Sequence, residues 1–334
     1  MSSFSIRRFA ILLIVLSLGL SSASQAADIP FPDWLAGVKA EAVAGGIDAS
    51  TVDQALADIQ PIDRVLELDR KQPEFTMTWA DYLAHTASPQ RVTDGRQLLA
   101  QHRKTLKKIG HDHGVPAQQL VAMWGIESNY GRNMGSFSVI QSLATLAYDG
   151  RRSQYFRGEL MKALTMAQRG VPPQNMRGSW AGAMGQCQFM PSTYLNYAQA
   201  ASGQGSADIW SKPEDVWAST ANYLSGLGWK AGEPWGMAIR LPKRGLAPAL
   251  FGLDHARPLK DWSRLGVKRA DGKALSGPPE MKLALLHVDA SKDGSGGEGP
   301  IYLVGDNFRA LLHWNRSFFF ALSAGTLADR IASR

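Results

Sequence analysis

Cysteine is almost absent from this chain: there is one, Cys187, in 334 residues. A single thiol excludes an internal disulfide framework, so packing alone must hold the fold. As a nucleophile Cys187 would need a partnering histidine, and none lies near it in sequence. The expected role is a small buried core residue. Long apolar runs are also scarce. Past the N-terminus, no segment supplies the roughly 18 uninterrupted apolar residues that a membrane helix needs. Basic clusters are sparse too. Only HRKTLKK, residues 102–108, gathers positive charge, and its spacing fits the solvated face of a helix better than a nucleic-acid surface. The sequence shows no internal repeat, no local Ser-His-Asp arrangement and no metal-ligand spacing; His111 and His113 read as surface residues. We expect no cofactor, no bound metal and no nucleic acid.

The first segment that is present reads as an address. Arg7 and Arg8 precede an apolar stretch, residues 9–20, that is too short to span a bilayer. Ser24-Gln25-Ala26 then supplies small residues where a signal peptidase reads. Residues 1–26 are therefore expected to be a signal peptide and residues 27–334 the mature chain. With no cysteine near the cleavage site, an exported, soluble protein without a lipid anchor is expected. Losing the two arginines lowers the formal charge of +7 to +5, a modest excess suited to an anionic partner such as a cell-wall polymer or a membrane surface.

Periodicity divides the rest. From Phe31 to about Tyr197 the pattern is mostly helical. Pro116 sits where a first helical turn begins, ahead of AQQLVAMWGIES. VIQSLATLAYDG and SQYFRGELMKALTMAQRG end at Gly150 and Gly170, and PEDVWASTANYLSGLGW is stopped by glycine. After Trp235 the texture changes to short β-like runs, MAIRLPKRG, MKLALLHVDA and PIYLVG, separated by Gly/Pro-rich pieces. SKDGSGGEGP reads as a flexible loop, and NFRALLHWNRSFFFALSAGTLADRI returns to helix. The fold class is mainly α, with a small β-rich subdomain, residues 236–305, inserted before the C-terminal helices.

One residue is out of place. On the helix after Pro116, Glu127 follows Trp124, Met123 and Leu120 by three, four and seven residues, so it lies on the apolar stripe. Burial raises a carboxyl pKa, and an acid kept protonated near neutrality suits general acid catalysis. The alternative is a structural glutamate satisfied by a hydrogen bond or by an arginine such as Arg132. Glycosidases usually pair two carboxylates, yet Asp112 lies about four helical turns upstream and Asp149 sits in an Asp-Gly turn. Local sequence offers no second acid.

Three other stretches gather chemistry suited to sugars. GSWAGAMGQCQFMP, residues 178–191, combines glycines and alanines, which permit close backbone approach, with Gln188, Phe189 and Met190. STANYL offers Asn222 and Tyr223, and HWNRSFFF offers Trp314 and Asn315. Together with GIESNYG, these blocks resemble the lytic murein transglycosylase B family, glycoside hydrolase family 103, and the likeness runs from about Phe31 to Ile331.

The resemblance implies a lysozyme-like helical domain that cleaves the bond between N-acetylmuramic acid and N-acetylglucosamine in peptidoglycan without consuming water. It implies one catalytic residue, Glu127, acting first as acid and then as base. Ser179 would lie near that carboxyl, and Gln188, Phe189, Met190, Tyr223 and Asn315 would line the sugar groove. Two departures stand out. A family tyrosine near the acid appears as Phe320. The family's calcium loop is degenerate in AASGQGSADIW, leaving only Ser202, Asp208 and Asp215 as oxygen donors, too few for a hard cation. We expect a monomer whose partners are glycan strands and, beside them, cell-wall synthesis proteins. A lysozyme-type hydrolase and a wall-binding scaffold are the competing readings.

Overall fold

The computed structural model describes residues 29–71, 77–288 and 299–333. The segment expected to be a signal peptide and most of the stretch expected to be a loop, residues 291–300, lie outside the described residues. The chain opens with α1 (Phe31–Ala44), α2 (Ala49–Ala55), α3 (Asp63–Arg70), α4 (Trp79–Thr86), α5 (Pro89–Gln101), α6 (Arg103–His113) and α7 (Ala117–Ser128). A two-residue strand, β1 (Phe137–Ser138), leads into α8 (Val139–Tyr148) and α9 (Ser153–Gln168). Its partner β2 (Arg177–Gly178) precedes α10 (Pro191–Tyr197) and α11 (Pro213–Gly226).

The axis of the molecule is α7. Eight of its 12 residues are buried, including Gln119 and Ser128 outside the expected stripe. The helix packs against α5, α6, α11 and the C-terminal helix at once, so it is enclosed on most sides rather than laid on a core by one face. The basic stretch of α6 behaves as its spacing predicts: Leu106 and Ile109 are buried, while Arg103, Lys104, Lys107 and Lys108 are exposed.

The β-like texture after Trp235 forms β3 (Gly236–Arg240), β4 (Arg257–Pro258), β5 (Lys268–Arg269), β6 (Lys282–His287) and β7 (Ile301–Val304), with α12 (Leu259–Arg264) between β4 and β5. The sheet is antiparallel, in the order β4-β6-β7-β3-β5. Side chains alternate between its faces. Ala284, Leu286, Tyr302 and Val304 join the main helical core. Leu283, Leu285, Leu303 and Ile239 face the other way, onto a second small core with Trp262 and Leu259. Burial on both faces explains why β6 reads as a nearly continuous apolar run.

The last helical stretch is broken in two, α13 (Asp306–Trp314) and α14 (Phe318–Ala332). Asn315 ends the first, and its Oδ1 accepts the Ser317 N–H at 3.1 Å. Ser317 then caps α14, accepting from the Phe320 N–H at 3.3 Å. Periodicity alone joined these helices; the side-chain hydrogen bonds part them. The break leaves Trp314 at a helix terminus.

The degenerate loop at 200–211 is closed by hydrogen bonds. Asp215, 5% exposed, accepts the Ala201 N–H on Oδ1 and the Asp208 N–H on Oδ2, each at 2.8 Å. Asp208 accepts the backbone N–H groups of Trp210 and Ser211 at 3.1 and 2.9 Å, and the Ser211 hydroxyl. These carboxylates serve amides that a calcium-coordinating arrangement would have to release, and no group of three or more His, Cys, Asp or Glu among the described residues could hold a metal. The residues do not fit calcium. Hydrogen bonds to a charged group contribute about 1.5–3 kcal/mol each, so Asp215→Ala should lower stability by roughly 3 kcal/mol. Thermal unfolding in EDTA and in millimolar calcium should give the same midpoint for the natural chain. A drop of several degrees in EDTA would show that a cation holds this loop.

Candidate active site

Glu127 stands at the next-to-last position of α7, where the helix is forced to stop. Asn129, Tyr130 and Gly131 follow with φ of 51, 60 and 82°, three successive left-handed residues. Their amides return to the helix: Asn129 N–H donates to Gly125 O at 3.0 Å and Tyr130 N–H to Trp124 O at 3.2 Å. A tyrosine in this conformation costs about 1–2 kcal/mol. Its side chain offsets the cost by donating to Arg91 O at 2.7 Å and packing edge-on against Trp124. At Gly131 a Cβ would come within 2.5 Å of Gln186 Oε1, so the turn needs glycine for space as well as for its φ.

Gln186 joins this turn to the loop between β2 and α10. Buried to 6% exposure, it accepts from Trp124 Nε1 at 2.7 Å and donates to Trp210 O at 2.8 Å. The loop is folded by two isolated bridges, Gly178 to Met184 and Met184 to Phe189. A Cβ on Gly178 would lie 2.0 Å from Ala183 O, which explains the glycine-alanine composition as close backbone contact.

The carboxyl accepts one strong hydrogen bond, from Trp314 Nε1 to Glu127 Oε1 at 2.5 Å. Glu127 keeps part of its surface open to solvent, while dense protein surrounds the rest. Burial pushes its pKa up from 4.5 to about 8; the Trp314 hydrogen bond pulls the other way and is the smaller effect. No cation and no second carboxylate perturbs it. The arginine of the structural alternative is engaged elsewhere, since Arg132 pairs with Asp94 at 2.6 Å. Glu127 is thus an unpaired acid that stays protonated at neutral pH.

Around it stand aromatic rings. Trp314 packs on Tyr223 with centroids 4.9 Å apart and on Phe189 at 5.4 Å, and Tyr223 continues to Tyr197 at 4.5 Å. Phe189 is buried; Tyr223 and Trp314 are half-buried. Of the residues expected from sequence, Phe189 and Tyr223 therefore meet beside the acid. Met190 is half-buried at the start of α10. Asn315 is exposed, directly after Trp314. Gln188 holds the loop: with φ 49°, it donates through Nε2 to Met134 O and Gly185 O at 3.0 and 2.9 Å. The Ser179 hydroxyl accepts the Ala183 N–H at 3.1 Å, a turn-forming bond. Asn222 likewise braces the backbone, donating to Tyr197 O.

Tyr82 escapes the sequence reading, and Trp314 is marked there without a role. Trp314, beside the expected Asn315, makes the only hydrogen bond to the acid seen among the described residues. Tyr82, from α4, has its hydroxyl pKa raised by burial first and by the charge of Glu127 second. Its ring packs on Phe319, while Phe320 is buried in the main core at 4% exposure. This coupling between α4 and the acid spans a sequence separation that no local spacing could reveal. Cys187 is buried beside the site as expected; burial, then the charge of Glu127, pushes its thiol well above the ordinary range.

Comparison with known proteins places this geometry. The family model described as the transglycosylase SLT domain matches residues 30–329. Membrane-bound lytic murein transglycosylase B of Escherichia coli (strain K12) is 31% identical over 301 residues, covering 86% of this chain and 79% of that protein. The crystal structure of SltB3 from Pseudomonas aeruginosa in complex with NAG-anhNAM-pentapeptide is 46% identical with a TM-score of 0.84, covering 90% of this chain and 78% of that one. Soluble lytic transglycosylase SltB1 of the same organism is 28% identical with a TM-score of 0.77, covering 90% and 98%. A match over nearly the whole described chain, with an unpaired acid at its centre, makes this protein a member of the transglycosylase SLT domain family, the lytic murein transglycosylases.

Proposed function

We propose that Glu127 carries out both proton transfers of a non-hydrolytic cleavage of peptidoglycan between N-acetylmuramic acid and N-acetylglucosamine. The observation that carries this reading is a carboxyl held protonated with no second carboxylate beside it. Glu127 donates its proton to the glycosidic oxygen as the bond to C1 breaks, and the leaving sugar departs as a free hydroxyl. The muramoyl C6 hydroxyl attacks C1, Glu127 takes its proton, and a 1,6-anhydro ring closes. The acid is regenerated in one turnover and no water is added. The Trp314 indole supports the ionised intermediate state of the carboxyl, because a donor stabilises the anion. Phe189, Tyr223 and Trp314 form an apolar wall suited to a sugar face, with Gln188, Met190 and Asn315 at its margins and Ser179 shaping the loop.

Residues 1–26 favour export to the periplasm by their Arg-Arg, apolar and small-residue pattern. No helix among the described residues is long and apolar enough to cross a membrane. We read the working form as a monomer on glycan strands, with cell-wall synthesis proteins as further partners.

Glu127→Gln should reduce turnover by about 10²–10⁴-fold with an unchanged far-UV spectrum. Mass spectrometry of digests by the natural chain should give products one water lighter than hydrolytic ones and inert to borohydride. Reducible ends would instead mean that water is the nucleophile.

The pH dependence follows from the raised pKa. The reaction needs the protonated acid, so the rate should fall as pH rises through about 8. Trp314→Phe removes a bond that favours the anion and should move that limb to higher pH while slowing turnover. For stability, the native state retains a proton that the unfolded chain releases between pH 4.5 and about 8. Stability therefore declines with rising pH across that window. Glu127→Gln should remove this decline, leaving the variant more stable than the natural chain at pH 9 by about 1 kcal/mol or more. Equal denaturation midpoints at pH 9 would contradict the burial argument.

A further inference from the structure

The helix that carries Glu127 near its end begins beside a cavity that the reaction does not use. Pro116 caps α7 without a side-chain hydrogen bond, and the N–H groups of Ala117 and Gln118 meet no acceptor among the described residues. The first N–H groups of a helix carry partial positive charge and attract anions. A free helix start alone is no site, because water serves it. Here the side chains around it are unusual.

A cavity of about 350 Å³ opens between the first turn of α7, the segment from Trp229 to Trp235 and the last turns of α14. Gln119 and Trp229 line it, at 2% and 8% exposure. Both are buried donors without a partner: neither Gln119 Nε2 nor Trp229 Nε1 meets an acceptor. A buried N–H left unmet is costly. Two on residues of one lining point to an acceptor that binds there.

The same lining holds two acids, Glu233 and Asp329, and no base. Glu233 is half-buried, and its side chain makes no hydrogen bond or ion pair among the described residues. Asp329 Oδ2 accepts the Trp235 indole N–H at 3.1 Å. Desolvation raises the Asp329 pKa to about 6, against that bond and the charge of Arg269, so the carboxyl is ionised at neutral pH. An adjoining cavity reverses the sign. It shares Pro116, Gln118 and Gly232 with the first, carries Lys107 and His111, and has no acid in its lining. Acids therefore lie on one side of the α7 start and bases on the other.

An occupant has to answer both sets of groups. A metal ion would meet the acids and leave the donors unmet. A simple anion would meet the donors and be repelled by the acids. A zwitterion satisfies both, and Pro116, Pro234 and Trp235 add apolar surface for a side chain. The volume falls within the range of about 300–1,000 Å³ usual for small-molecule sites.

We propose that this cavity binds a free α-amino acid with an apolar side chain, its carboxylate on the start of α7 with Gln119 and Trp229, its ammonium on Glu233 and Asp329. The assignment is independent of the role proposed for Glu127. Calorimetric titration of the full chain with leucine at neutral pH tests it. Leucine should bind about tenfold tighter than N-acetylleucine, which lacks the ammonium, and than leucinamide, which lacks the carboxylate. Glu233→Gln should weaken leucine about tenfold and leave N-acetylleucine unchanged. Gln119→Leu should also weaken leucine, while raising the thermal midpoint of the unliganded chain, because it removes an unmet donor.

Equal affinity for the three ligands, or no binding of leucine, would overturn the proposal and leave the cavity to water. A raised midpoint in Gln119→Leu with leucine affinity intact would make Gln119 a packing residue and reject the site. Should that variant fail to fold, Glu233→Gln decides alone, since its side chain has no partner to lose: unchanged leucine affinity there rejects the site.

Discussion

The molecule is organised around keeping one carboxyl out of water without giving it a counter-ion. An isolated ionised glutamate in such surroundings is costly, and the cheaper state is the neutral acid. Every neighbour of Glu127 respects that choice. The helix that carries it is buried on most sides, Arg132 is drawn away to Asp94, and the single donor that reaches the carboxyl is an uncharged indole. A guanidinium in place of Trp314 would hold the carboxyl ionised and remove its proton at neutral pH. An indole donor steadies the anion once it forms without making it the resting state.

Placing the acid at a helix end adds a second constraint. The chain must leave α7 sharply, and it does so through three left-handed residues, two of them not glycine. Such backbone persists only where its surroundings fix it. Here the Tyr130 hydroxyl, the edge-on contact with Trp124 and the Gln186 bridge all act on the same turn. Gln186 also holds the loop that carries Phe189. One buried amide thus sets the position of the acid relative to the wall facing it. In a chain with one cysteine, hydrogen bonds of this kind take the place that a disulfide can occupy elsewhere.

Much of this was legible in the residue order, and the limits are physical. Helix α7 was readable because Pro116 marks its start and its apolar positions recur at three and four. Glu127 stood out because it broke that pattern. The strands after Trp235 were readable from β-like runs between glycines and prolines. Tyr82 was not legible, because its electrostatic coupling to Glu127 comes from α4, far along the chain, and local spacing carries no trace of it. Trp314 was half legible: its stretch was marked, but the weight fell on Asn315. The choice between them depends on where α13 ends, which a hydrogen bond from Ser317 to Asn315 decides. Ser179 and Gln188 show what residue order leaves out: each also braces a backbone turn, Ser179 by accepting an amide and Gln188 by donating through Nε2.

The loop at 200–211 extends the same principle to electrostatics. A carboxylate brought into a fold needs compensation, and either a bound cation or several N–H groups can supply it. Asp215 takes backbone amides, one on each oxygen. That solution ties the loop's geometry to covalent chain connectivity instead of to the concentration of an ion. The loop it closes also lines, with Arg177, a cavity of about 550 Å³. The acid at the centre meets a single uncharged donor, the Trp314 indole, and the acid beneath the loop meets two backbone amides. The difference between those two environments separates the carboxyl that can give up its proton to a glycan from the one that only shapes the chain around it.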